Sequence, residues 1–340
     1  MGIIIAILIF GLSVIFHEFG HFLLARMNGI RVNEFSIGMG PKLCGFKRGE
    51  TEFTIRLLPF GGACMMAGED EDVTDEGTFN SKSVWARISV VLAGPVFNFI
   101  LAFFFAIFVL WRAGITTTEL TMVTDNSPAQ EAGLQVGDVI TQIDGEHVAI
   151  FNEIRMHMML ANQDSYEITY ERDGETYTVN VGTMTEDGQQ MVGIGTSARK
   201  ASVGELFKYS YYEVRYNIKL VVKSLKMLVT GKLGRKDVAG PVGMVSAIGQ
   251  TYDSAKDYGV MSVVLTMCNL VIILSANLGV MNLLPIPALD GGRLLFLIIE
   301  AIRRKPLNRN REGLVNFVGF ALLMVLMVVI MFNDIVNLIH

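Results

Sequence analysis

Three stretches of this chain, residues 88–111, 258–289 and 313–333, contain no Asp, Glu, Lys or Arg. About 20 apolar residues, rising 1.5 Å each, cross the roughly 30 Å of hydrocarbon in a bilayer. Each stretch is therefore long enough to be a transmembrane helix. Residues 2–25 form a fourth run, apolar except for His17, Glu18 and His21. Composition agrees, with 51% of residues hydrophobic and 18% charged, against about 25% charged in soluble domains. The sequence predicts a polytopic α-helical membrane protein with four transmembrane helices and one sizeable polar segment between the second and third.

The first run lacks the basic n-region of a signal peptide, because no Lys or Arg precedes Arg26. Lys and Arg gather in residues 26–87 and again at Arg293, Arg303, Arg304, Lys305, Arg309 and Arg311. The positive-inside bias puts both of these loops in the cytosol, with both termini and the long 113–257 segment outside. Three cysteines, Cys44, Cys64 and Cys268, lack the spacing of a disulfide framework or a thiolate metal site. A net charge of −5 gives no reason to expect nucleic-acid binding.

Four divisions follow. Residues 1–112 are an N-terminal membrane half with a glycine-rich cytosolic stretch. There, residues 51–58 read as a strand that turns and returns through PFGGACMMAG, and the acidic run at 69–76 reads as a solvated loop. The pair Gly94-Pro95, within AGPVFN, indicates close helix contact or a local kink. Residues 113–200 form a small α+β domain. Strand-like runs at 120–124, 138–143, 166–172 and 176–181 are punctuated by Asp144-Gly145 and Asp173-Gly174, with a helix at 153–161. Residues 201–257 are an amphipathic helical segment, in which 203–233 carry Lys208, Arg215, Lys219, Lys223 and Lys226 between aromatic and aliphatic side chains. That stretch reads as a basic amphipathic helix suited to the surface of membrane lipids, or else one packed on the β domain. Residues 258–340 are the C-terminal membrane half.

The chemistry sits inside the first run, in H17-E18-F19-G20-H21. Residues four apart share a helix face, so two imidazoles can bind one Zn²⁺ while the adjacent Glu18 acts on water at the metal. An acidic side chain at the centre of a span costs roughly 2.5–3.5 kcal/mol. Fifteen Ile, Leu, Val and Phe residues between Ile3 and Leu24 can offset that. Nothing in bilayer physics rewards the polar trio, which marks it as functional. A catalytic zinc needs a third protein ligand. Asp290 fits, at the end of the 32-residue uncharged stretch and inside NLLPIPALDGG. Pro285 and Pro287 cannot sustain a regular helix there, and broken backbone at membrane depth is tolerated only against protein or a water cavity. Glu300 is the alternative ligand, although Arg303 and Arg304 could pair with it.

HEFGH in the first span with NLLPIPALDGG in a late one resembles the site-2 protease family of intramembrane zinc metalloproteases. NSPAQEAGLQVGDVITQIDG at 126–145 resembles a PDZ domain, and one PDZ between spans two and three looks like the bacterial branch that cuts anti-sigma factors and signal-peptide remnants. The resemblance implies an enzyme of the bacterial cytoplasmic (inner) membrane that hydrolyses peptide bonds within single-span substrates. In it, His17, His21 and Asp290 hold zinc, Glu18 is the general base, and Asn282 handles substrate near Pro285 and Pro287. It also implies that residues 51–68, including Arg56 and Leu57, form a membrane-associated β-loop that engages unwound substrate. The enterobacterial form has two PDZ domains where this chain has one. The PDZ-like domain could bind a new substrate C-terminus or act as a filter against bulky external domains.

Overall fold

The computed structural model describes residues 2–69, 75–186, 189–232, 240–305 and 309–339. Among the described residues, four helices are long and apolar enough to cross a membrane: α1 (Gly2–Met27), α2 (Val84–Ala113), α7 (Val260–Asn282) and α9 (Arg309–Ile339), whose apolar window is Glu312–Asp334. Between these lie a long hairpin, an α+β domain, the helices α5 (Val203–Val229) and α6 (Pro241–Lys256), and the short α8 (Asp290–Arg303). Contacts divide the chain into two compact units, 1–105 with 221–340, and 106–220.

In the first unit, α1 ends where Gly29 takes φ +66° and Ile30 N–H reaches back to Ala25 C=O at 2.9 Å, the closing pattern of a left-handed glycine cap. The chain then enters β1 (Val32–Arg48) and β2 (Thr51–Met66), which pair antiparallel with several register shifts. Residues 34–37 have partners on both sides, 62–65 on one and 52–55 on the other, and 51–55 pair in turn with 44–48. The hairpin thus folds into a small sheet with 62–66 along one edge. Its inner face joins the ends of α1, α2 and α8 in a core of Ala25, Val32, Phe35, Met66, Val90 and Leu297. Its far end leaves Met39, Leu43, Phe46, Leu57 and Leu58 about half exposed or more.

A second cluster, Ala6, Ile9, Leu101, Ile248, Val271 and Leu274, packs α1, α2, α6 and α7 together. The Asp334 carboxylate, 4% exposed on α9, accepts from Gly240 N–H and Gly243 N–H at 2.9 Å each, at the start of α6. Almost none of the α9 window is buried within the protein. The acidic run 69–76 is only partly a solvated loop: Glu69 pairs with Arg293 and Asp75 with Arg31, while 70–74 lie outside the described residues.

The second unit orders its main sheet β5-β4-β6-β7, from Glu146–His147, Val139–Ile143, Ser165–Arg172 and Glu175–Gly182. A separate pair joins β3 (Met122–Val123) to β10 (Ile194–Gly195), and β8 (Met184–Glu186) meets β9 (Gln189–Met191). Both expected turns form as read: Asp144, Gly145, Asp173 and Gly174 all have positive φ, as two-residue hairpins of this twist demand. Ser127 caps the short α3 (Pro128–Glu131), and α4 (Phe151–Ala161) closes a core with Leu120, Ile140, Tyr166 and Ile168.

The segment 201–257, whose basic amphipathic helix reads from sequence as lying on membrane lipid or else packing on the β domain, is two helices in the structure, and the first is tethered to α4. Glu153 of α4, 1% exposed, accepts from Arg215 Nη2 at 2.8 and 2.9 Å and from Lys219 Nζ at 2.9 Å. A buried carboxylate must be paired, and α5 supplies both cations. Glu153→Ala strands them and is expected to lower the unfolding free energy by about 3 kcal/mol. Lys219→Ala, which removes one part-exposed partner, should lower it by less than about 1 kcal/mol. Urea denaturation of the full chain in micelles, followed by near-ultraviolet circular dichroism, measures both.

Candidate metal centre

His17 and His21 lie one turn apart on α1, both buried, with ring centroids 4.8 Å apart and planes at 85°. They are packed against α2, and the packing needs glycine. A Cβ on Gly94 would sit 2.3 Å from His21 Nε2 and 2.7 Å from His17 Cε1. One on Gly20 would sit 2.4 Å from the Ala93 carbonyl oxygen. The Gly94-Pro95 pair therefore marks close contact, with Pro95 inside a helix that continues through it. His21 Nδ1 lies 2.9 Å from the Val90 carbonyl, which makes Nδ1 the donor and leaves the Nε2 lone pair free.

Asp290 arrives from the other half of the sequence. α7 stops at Asn282, and residues 283–289 form no regular helix around Pro285 and Pro287. Ala288 takes φ +74°, and its N–H faces Asn316 Oδ1 at 3.4 Å. The chain folds back so tightly that a Cβ on Gly291 would meet Leu284 O at 2.1 Å, and one on Gly292 would meet Ile286 O at 2.4 Å. Asp290 is then the first residue of α8, which Arg87 grips through Glu300. Glu300 is thus occupied by a cation on α2 and takes no part in the cluster.

Three acceptor atoms converge. Asp290 Oδ2 is 3.0 Å from His17 Nε2 and 3.3 Å from His21 Nε2, and the two nitrogens are 3.2 Å apart. A tetrahedral zinc with ligand bonds of 2.0–2.1 Å requires ligand edges of about 3.3 Å. Asp290 Oδ2 is buried without a hydrogen-bond donor, an arrangement that a cation would satisfy. Among the described residues this is the only group of three His, Cys, Asp or Glu side chains arranged to hold a metal. The set of two imidazoles and one carboxylate suits zinc.

Glu18 borders the cluster on the side of the hairpin. Its Cγ is 3.0 Å from the Cβ position of Gly62. Asn282 Nδ2 lies 3.5 and 3.4 Å from the two ring nitrogens of His17. Arg56 is turned elsewhere, onto Glu34 Oε1 at 2.7 Å and the Gly40 carbonyl at 2.8 Å, and Leu57 is exposed. Sequence reasoning did not single out Val90 or Asn98, although both touch the imidazoles. A backbone carbonyl leaves no trace in a sequence, whereas Asn98 was visible as a lone carboxamide in an uncharged run.

Residues 5–326 match the family model of peptidase family M50. A candidate zinc metalloprotease of Clostridium acetobutylicum is 40% identical over 338 residues, covering 98% of this chain and 97% of that protein. The zinc metalloprotease RasP of Bacillus licheniformis is 35% identical, covering 99% of this chain and all of its own. The regulator of sigma-W protease RasP of Bacillus subtilis is 33% identical, covering 99% and 98%. Among solved structures, the PDZ domain of the SdrC-like protein from Listeria monocytogenes matches 28% of this chain and 93% of its own, at 22% identity and a TM-score of 0.21.

Gly94→Ala is expected to push the imidazoles apart and lower zinc affinity at least 10-fold. Gly11→Ala, on α1 with the histidines but with open space around its Cβ, should leave it unchanged. Zinc titration against a chromogenic chelator compares the two.

Proposed function

Since the chain belongs to peptidase family M50, the site-2 zinc metalloproteases, we propose that it hydrolyses peptide bonds within membrane-spanning segments, using the cluster on α1 and α8. The observation that carries this reading is the convergence of His17 Nε2, His21 Nε2 and Asp290 Oδ2 from two apolar parts of the chain. These three residues would hold the zinc. When bound, zinc supplies Lewis-acid chemistry, acidifying water and polarising a scissile carbonyl.

Glu18 does the proton work. It is the neighbour of His17 on α1 and lies between the cluster and the strand 62–66. From there its carboxylate takes the proton of the attacking water and returns it to the leaving amine nitrogen.

A helical substrate hides its carbonyls in i→i−4 hydrogen bonds and must unwind before attack. Extended peptide can add to a free sheet edge through main-chain hydrogen bonds. Residues 62–66 pair with β1 on one side, and no described strand pairs with the other. This edge, next to Glu18, is where unwound substrate is received, and Asn282 with the Pro285–Pro287 loop borders the same space. Arg56 braces the hairpin through Glu34, and exposed Leu57 helps seat its far end in lipid.

The substrates are single-span membrane proteins such as anti-sigma factors, the class suggested by the sigma-W regulator among the relatives, together with signal-peptide remnants. The enzyme lies in the bacterial cytoplasmic membrane with both termini and the PDZ-like domain outside. That domain filters out substrates that retain bulky external parts.

Glu18→Gln is expected to keep the zinc stoichiometry of the parent while cleavage of a single-span substrate in detergent falls about 100- to 10,000-fold. Turnover within a few-fold of the parent would remove Glu18 from the mechanism.

A further inference from the structure

An imidazole that binds metal through Nε2 must carry its proton on Nδ1, and that proton needs an acceptor. His21 has one in the Val90 carbonyl. The corresponding atom of His17 faces the side chain of Asn98, with Nδ2 3.1 Å from Nδ1. Asn98 is fully buried, its carboxamide oxygen has no partner, and its backbone carbonyl accepts from the Ser275 hydroxyl at 2.9 Å. The amide is nearly symmetric in shape, so hydrogen bonding decides which end faces the ring. With nitrogen toward Nδ1, the His17 proton would be forced onto Nε2, the atom that meets Asp290. With oxygen toward Nδ1, the proton stays there and Nε2 is free.

Asn282 does not compete for this role. Its amide nitrogen is nearly equidistant from both ring nitrogens of His17, at 3.5 and 3.4 Å, and so favours neither tautomer. Val90 and Asn98 stand four residues either side of Gly94, on the helix whose missing Cβ admits the imidazoles.

We infer that Asn98 is a positioning residue for the metal ligand His17. Its side-chain carbonyl accepts the Nδ1–H and fixes both the tautomer and the rotation of the ring. One helix, α2, thereby orients both histidines from behind, with a backbone acceptor for one and a side-chain acceptor for the other. This inference rests on the reading that His17, His21 and Asp290 hold zinc.

The test is zinc affinity of the purified full chain in detergent, measured by chelator competition. Asn98→Leu keeps the size and removes the acceptor; it should weaken zinc binding 10- to 100-fold. Asn98→Asp keeps an acceptor in the same place and should bind zinc within a few-fold of the parent. Parent-like affinity in Asn98→Leu, or an equal loss in both variants, would overturn the proposal. A second measurement needs no variant: nitrogen NMR of the zinc-loaded parent labelled at histidine. A protonated Nδ1 on His17 supports the assignment, and a deprotonated one defeats it. His17→Ala separates the premises, because parent-like zinc affinity in that variant sinks the ligand reading itself, whatever Asn98 does.

Discussion

Everything at the centre of this protein depends on how closely α2 approaches α1. Two helices with ordinary side chains at the contact keep their axes 8–10 Å apart, and small residues let the backbones come nearer. Here Gly20 meets the Ala93 carbonyl, and Gly94 meets both imidazoles. That approach confines the histidines to one side of α1 and brings the Val90 carbonyl within 2.9 Å of His21. A pair of bulky apolar residues at these positions would pack just as well in lipid and would leave no room for the chemistry.

The third member of the cluster is positioned in a different way. Asp290 is held by a fold-back that only glycine permits at 291 and 292, and by one non-glycine residue, Ala288, with positive φ. Such backbone costs roughly 1–3 kcal/mol per strained residue and persists where its surroundings fix it. Those surroundings include Asn316 at the loop, Arg87 on Glu300, and Glu69 on Arg293 one turn beyond the aspartate. The carboxylate is thus placed by contacts from α2, α9 and the end of the hairpin rather than by its own helix alone.

Much of this could be read directly. The spacing of His17 and His21 states a shared helix face, and the prolines at 285 and 287 state that α7 cannot run on to Asp290. The two Asp-Gly pairs announced both hairpin turns of the β domain. The rest was hidden for physical reasons. β1 is interrupted by Gly38, Gly40, Pro41 and Gly45 and is largely exposed over its second half, so no alternation of apolar residues betrays it. Arg215 and Lys219 look like surface cations because their partner, Glu153, is more than sixty residues away. Glu300 has two arginines as near neighbours in sequence, yet its partner is Arg87. Long-range pairing of like residue types cannot be assigned from local pattern.

The attachment of α9 carries a different lesson. This helix buries almost none of its apolar window against the protein and is fastened at its two ends, by Asn316 and Gly319 beside the Pro287–Ala288 turn and by Asp334 at the start of α6. Lipid is as apolar as leucine, so burial gives such a helix little reason to stay, whereas hydrogen bonds gain strength where water is scarce. The long middle of α9 should consequently tolerate exchange among Leu, Val, Ile, Met and Phe, while its few polar and small anchors should not.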